Sequence, residues 1–264
     1  MDYVSWFRRD ALAFEAAVRL AAGAEAVPLV PSCPGWSVSD LVVHLGTVQR
    51  YVARLIRERL VEQPDGTDLA FLELPANTAA WPRPENAPNR APLPAGLIDW
   101  FADGAGALGS LFGSRGPGER VWTWSREQTA GFWLRMQTIE MAVHRWDAEN
   151  ALAAARPIEA ALAAAAVSQT FEVMAPGRRA MRQAPPGAGE RYRFRQTDGP
   201  GDWTVGFDGD DVQLEEGGVP GDIELAGSAS DLMLFLWQRI PADRLEVKGD
   251  RGALDRYFTL VPPV

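Results

Sequence analysis

The spacing of apolar residues loses its helical regularity between about residues 174 and 190, and that change decides most of what this chain can fold into. Before it, apolar positions recur every three or four residues, as on one face of a helix; after it they alternate, as on a half-buried strand. From about Asp2 to Ala24, Trp6, Leu12, Phe14, Ala17, Val18 and Leu20 mark a first helix. Ser37 opens a second, with Asp40 three residues on as an approximate capping box, and Leu41, Leu45, Val48, Val52 and Leu55 as its stripe to about Val61. Leu93 to Phe112 reads as a third helix, weakened by Gly104, Gly106 and Gly109. VWTW, residues 121–124, is a short extended piece; Gln128 to about Ala154 is the most regular helix, and Ile158 to Met174 is an Ala-rich fifth. Beyond the Pro/Gly-rich break at 174–190, RYRFRQT, DWTVGFD, DVQLEEG and DIELAG alternate between Gly/Asp turns, as strands of an antiparallel sheet. SDLMLFLWQRI is then a helix, RLEVKGD a last strand and RGALDRYFTLV a last helix. The pattern predicts an α+β chain: a helical bundle over 1–175 and a small α+β domain over 190–264.

Composition narrows the function. The chain has 264 residues, 47% apolar and 23% charged, ordinary values for a packed globular protein. Its net charge is −9 and it has no block of Lys or Arg, which argues against nucleic acid, since phosphates need a clustered basic face. No 18-residue apolar run is present to cross a membrane. The opening turns carry acids and arginines, unlike a secretory signal. Cys33 is the sole cysteine, which excludes an internal disulfide and fits a reducing cytoplasm. Monomer and homodimer suit this composition equally. Lys248 is the sole lysine among 26 basic residues, a bias of GC-rich genomes that says nothing about chemistry.

The two histidines, His44 and His144, are the residues to examine for chemistry. Glu140 and His144 stand four apart on one helix and so share a face, roughly 6 Å apart at Cβ. Trp133, Gln137, Glu140, His144 and Asp147 fall within an arc of about 80°, bordering the apolar stripe of Phe132, Met136, Ile139, Val143 and Trp146. His44 likewise lies within roughly 60° of Leu41, Val48 and Leu55 on the second helix. Were the two helices neighbours, His44, Glu140 and His144 could converge. Two imidazoles and one carboxylate hold a divalent ion and leave positions open, the pattern of catalytic zinc sites. The same set suits Fe(II), Ni(II) or Mn(II). Asp147, one turn on, could take the second ring N–H of a ligating histidine. The plain alternatives are a surface ion pair for Glu140 and His144, and a hydrogen-bonded core residue for His44.

CPGWSVSDLVVHLG (33–46) and RMQTIEMAVHRWDAE (135–149) together resemble the signatures of the mycothiol-dependent maleylpyruvate isomerase-like family, within the DinB-like metal-binding bundle superfamily. The matching residues are Pro34, Gly35, Trp36 and His44 in the first, and Glu140, His144 and Asp147 in the second. DIELAGSASDLMLFLWQRI and LEVKGDRGAL continue the likeness into a sterol-carrier-like C-terminal domain, while 62–92 matches least. The resemblance implies a DinB-like up-and-down four-helix bundle with one extra helix, then the small α+β domain. It implies a divalent metal, commonly zinc, on His44, Glu140 and His144, with mycothiol as cosubstrate and an electrophilic small molecule as substrate. The expected reaction is isomerisation or S-transfer. A metal hydrolase on the same ligands is a rival, and a non-catalytic small-molecule-binding relative is another, although a carrier has no need of an open metal position. Arg239, at the end of the LFLWQRI helix, is the candidate catalytic residue for an anionic substrate or the thiol's polar groups; its alternative is a cation favoured by the helix dipole.

Other residues read more plainly. Cys33 is structural, and Trp36 and Trp146 are bundle packing, as are the VWTW tryptophans in preference to lining a pocket mouth. Arg135 and Arg145 are helix-surface ion pairs, and Asp208, Asp210, Asp211, Glu215 and Glu216 a solvated rim without calcium-loop spacing. Glu62 to Pro92 is a long aperiodic segment, either a lid that encodes substrate choice or a surface excursion.

Overall fold

The computed structural model describes residues 1–262, and the chain divides into two compact units, Met1–Arg156 and the part from Pro157 onward. Four helices build the first unit: α1 (Tyr3–Ala21), α2 (Val38–Glu58), α3 (Ala95–Ser114) and α4 (Ala130–Ala151). The Asp2 side chain caps α1 by accepting from the Ser5 N–H. The buried face of α1 is Phe7, Ala11, Phe14, Val18 and Ala21. Leu12 and Leu20, expected on that face, are 68% and 74% exposed; at 100° per residue they point about 160° and 120° away from Phe14. Ser37 and Asp40 form the full capping box of α2. Leu41, Leu45, Val52 and Leu55 are completely buried below it, each contributing about 1.5–3 kcal/mol. Helix α4 packs against both α1 and α2 and is buried over most of its circumference.

Contacts fix the helix directions. Thr138 lies beside Tyr3 and Arg145 beside Asp10, so α1 and α4 run parallel. Gly46 abuts Trp100 and Arg50 abuts Gly104, so α2 and α3 also run parallel. Phe7 meets Phe112 and Phe14 meets Phe101, so α1 and α3 oppose. The order is therefore up, down, down, up, and not the strict alternation of an up-and-down bundle. Its cause is the 59–94 segment, which is long enough to return along a helix of about 30 Å before α3 begins. That segment is pinned rather than loose. The Asn89 amide donates to Asp40 at 2.6 Å, and the Ser37 hydroxyl donates to the Asn89 carbonyl at 2.5 Å. The Trp100 indole donates to the Leu72 carbonyl at 2.7 Å. VWTW is not a strand: residues 121–123 take no regular structure and Trp124 lies in a bend, with Val121 in the core, Trp122 half-buried and Trp124 48% exposed.

In the second unit α5 (Ala160–Gln169) continues through a π turn, Thr170–Met174, into α6 (Ala175–Arg182). Sequence periodicity suggested a break where α6 lies. Pro176 explains the discrepancy: it sits in the first turn of α6, where a missing N–H costs least, after a turn in which Ala175 N–H bonds Thr170 O. Five strands follow, β1 (Gly187–Gln196), β2 (Asp202–Gly209), β3 (Asp211–Glu216), β4 (Ile223–Gly227) and β5 (Glu246–Gly249), in spatial order β3-β2-β1-β4-β5. The sheet is mixed, not antiparallel throughout, because residues 217–222 carry the chain across to the far side of β1, where β4 pairs parallel. Tyr192, Phe194, Val205, Phe207 and Leu225 face the core, with Leu232 and Phe235 from α7 (Ala229–Leu236) and Tyr257 from α8 (Arg251–Leu260). Arg193 and Arg195 alternate onto the other face and pair with Asp202 and Glu224. Helices α5 and α6 pack with α7 and the β3 side of the sheet, which is why the units divide at Arg156/Pro157, ahead of the change in sequence texture. The chain is α+β, as the periodicities indicate.

Candidate metal centre

His44 projects from α2, and Glu140 and His144 from α4. Because α2 and α4 are neighbours, the inner margins of both helices meet. His44 Nε2 lies 3.0 Å from Glu140 Oε1. The two imidazole rings are 5.1 Å apart, centroid to centroid, at 76°. One potential ligand atom from each of His44, Glu140 and His144 lies within 4.8 Å of the others. The His144 and Glu140 side chains are 7% and 19% exposed, whereas that of His44 is 30% exposed, so the cluster is reached from the His44 side.

Each side chain is held from behind. His144 Nδ1 donates to Asp147 Oδ2 at 2.9 Å, which turns Nε2 away from that carboxylate. Asp147 is wholly buried and also accepts from the Ser32 hydroxyl at 2.6 Å and the Cys33 thiol at 3.4 Å. Cys33, His144 and Asp147 thus form a second cluster adjoining the first. Gln137 donates to Glu140 Oε2 at 2.7 Å, leaving Oε1 to His44. Burial pushes the Glu140 carboxyl upward, but the His44 hydrogen bond and charge, with smaller help from His144 and Gln137, hold it below the ordinary 4.5. It is therefore an anion at neutral pH.

Trp36 is more than bundle packing: its indole lies 5.2 Å from the His44 ring and stacks at 17° over the His144 ring, centroids 6.5 Å apart. Its place in the Pro-Gly-Trp turn of the first signature, one residue before the Ser37 cap, is the sequence signal for this. Ser32 had no sequence signal at all. Arg145 is not a surface ion pair. It is 3% exposed and pairs with Glu149 at 2.8 Å and Asp10 at 3.6 Å, a partnership set by the parallel packing of α1 on α4. Arg135 does pair at the surface, with Glu127.

Arg239 belongs to the second unit and lies three residues beyond α7, which ends at Leu236. Gln238 adopts a left-handed conformation there, and the Arg239 N–H returns to Leu234 O at 2.7 Å. Its guanidinium donates from Nη1 to the Trp237 carbonyl at 2.7 Å. No helix among the described residues is long and apolar enough to cross a membrane.

Residues 7–149 match the family model described as the mycothiol maleylpyruvate isomerase N-terminal domain, and residues 161–256 match the MDMPI C-terminal domain. Two solved structures are similar in fold, a crystal structure of the mycothiol-dependent maleylpyruvate isomerase (TM-score 0.58) and one of its histidine-to-alanine mutant (TM-score 0.61). Each is 14% identical, and the alignments cover 94% of this chain and 92% of the other. Comparison with curated proteins gives no match.

Proposed function

The chain belongs to the mycothiol maleylpyruvate isomerase family, and we propose on that premise that it is a divalent-metal-dependent enzyme that uses mycothiol on an electrophilic small molecule, as an isomerase or an S-transferase. The observation that carries the reading is the meeting of His44, Glu140 and His144 at one point of the α2–α4 seam. The donor set fits a divalent ion: two neutral-capable imidazoles, one anionic carboxylate, and access from the His44 side. His44, Glu140 and His144 would hold the ion, with zinc the first expectation and nickel, manganese or iron(II) compatible with the same donors. When bound, such an ion lowers the pKa of a thiol or water, so that a nucleophile exists at neutral pH.

The protein's own groups do the remaining work. Asp147 fixes the tautomer and rotation of His144. Gln137 fixes the rotation of Glu140, and Trp36 covers both imidazoles. A thiol that adds to an activated double bond and leaves again isomerises it; one that stays attached is transferred. Arg239 is proposed to hold an anionic group of the substrate or thiol, and the expected setting is the cytoplasm. Metal analysis of the purified protein, beside His44→Ala, tests the ligand set: about one equivalent should be present and lost in the variant. Turnover with and without mycothiol then tests the cosubstrate. A protein that holds no metal, or that turns over equally without the thiol, sinks the reading.

A further inference from the structure

Two arginines stand side by side on α6, and the second unit treats them differently. Arg179 is buried and donates to the carbonyls of Leu260 and Gly209 at 2.8 Å and of Pro185 at 3.2 Å. Arg178 makes no hydrogen bond or ion pair with any described residue: its Nε is buried without a partner, and its guanidinium lies 5.7 Å over the Trp237 ring. That Nε–H is withdrawn from water without an acceptor, which costs free energy, and the neighbouring ring offsets only part of it. Two further polar groups of this unit are also without partners among the described residues. Trp237 Nε1 is buried and unpaired, as is the hydroxyl of Tyr257, which is 1% exposed. Burial lowers the pKa of Arg178; the Tyr257 phenol opposes that shift and the charge of Arg239 adds to it. The acids of the sheet pair elsewhere, Asp202 and Glu224 with Arg193 and Glu215 with Arg191.

We infer that Arg178, with the indole N–H of Trp237 and the phenol of Tyr257, forms a recognition site for a small oxyanion, the carboxylate or phosphate group of a ligand. An indole N–H can only donate, and a guanidinium presents a planar fork that two oxygens of one anion satisfy together. The Trp237 ring covers one side of the guanidinium, so a ligand would approach from its edge or its other side. Arg178 and Trp237 are only partly buried, so the edge is reached from outside. The Arg239 guanidinium, bonded to the Trp237 carbonyl, holds the same turn and supplies a second positive charge. The site uses the second unit alone and stands independently of any metal on the bundle.

The test measures the melting temperature of the full-length, chelator-treated protein in sodium succinate, in inorganic phosphate, and in sodium chloride of equal ionic strength. At least one oxyanion should raise it saturably while chloride does not. The midpoint concentration should rise about tenfold or more in Arg178→Gln and by a smaller factor in Tyr257→Phe. Whichever oxyanion saturates lower identifies the group recognised. The inference is overturned if neither oxyanion exceeds chloride, or if Arg178→Gln responds like the parent. Should Arg178→Gln fail to fold, Trp237→Phe, which keeps the ring and removes the N–H, replaces it, and an unchanged midpoint there and in Tyr257→Phe overturns the inference equally. Because metal is absent throughout, neither outcome depends on the proposed enzyme activity.

Discussion

His144 and Asp147 face each other across one turn of α4, ring nitrogen to carboxylate oxygen, at 2.9 Å and almost out of contact with solvent. That carboxylate accepts from His144, Ser32 and Cys33, so its own position is tied to the turn that precedes α2. Replacing it with an amide keeps the shape but removes the charge that selects the histidine tautomer. Asp147→Asn is therefore expected to weaken metal retention by about 10–100-fold, read by competition with a chromogenic chelator. Cys33→Ala should change it far less, because the shorter Ser32 bond remains. Equal retention in Asp147→Asn and parent would remove Asp147 from the site.

Two glycines, Gly46 on α2 and Gly106 on α3, give opposite expectations. A Cβ on Gly46 would stand 2.1 Å from the Trp100 ring, which is anchored through its indole to Leu72. Gly46→Ala should cost about 1–3 kcal/mol by overpacking, despite the better helix propensity of alanine. Gly106, mid-helix on α3 and exposed, has nothing within 4 Å of a Cβ, so Gly106→Ala should stabilise by up to about 1 kcal/mol. Urea denaturation decides both, and the same sign for the two variants would contradict the packing described.

Glu149 should make the bundle acid-sensitive. Burial raises its pKa, but hydrogen bonds from Arg156 and Arg145 and the Arg145 charge outweigh that and hold it below the ordinary 4.5. A depressed folded-state pKa means its contribution is complete above 4.5 and fades as the pH falls through the folded value. Glu149→Gln should lose about 3 kcal/mol near neutrality, because Arg145 is then left buried with fewer partners. The gap between variant and parent should narrow as the pH falls below 4.5. A gap independent of pH would refute the assignment.

Several of these relationships can be read locally and several cannot. The capping box of Ser37 and Asp40, the phase of His44 on its helix and the four-residue spacing of Glu140 and His144 depend on nearest neighbours alone, so the sequence carries them. The burial of Arg145 does not, since it arises from Asp10 on a helix more than a hundred residues away. The parallel pairing of β1 with β4 depends on a crossover that no alternation pattern encodes. Helix α6 was hidden because Pro176 and Gly177 read as breakers unless the preceding π turn is known. The direction of α3 was equally hidden, since it depends on where a long aperiodic segment chooses to return.

That segment gives a last prediction. Asn89 joins it to the start of α2 through Asp40, by both its side chain and its backbone N–H. Asn89→Ala should open 62–92 locally while leaving the helices intact, raising the rate of limited proteolysis within it without a comparable fall in helical circular dichroism. Unchanged cleavage would mean that the Trp100 contact at Leu72 suffices.

The up-down-down-up course of the bundle has a consequence during synthesis. His44 and Glu140 are separated by 96 residues, and the chain must lay down all of α3 before the helix bearing the second histidine emerges. A ribosome-bound fragment ending before α4 carries only one of the three proposed donors, so an ion held by that set would bind only as this unit is completed and would not guide its early collapse.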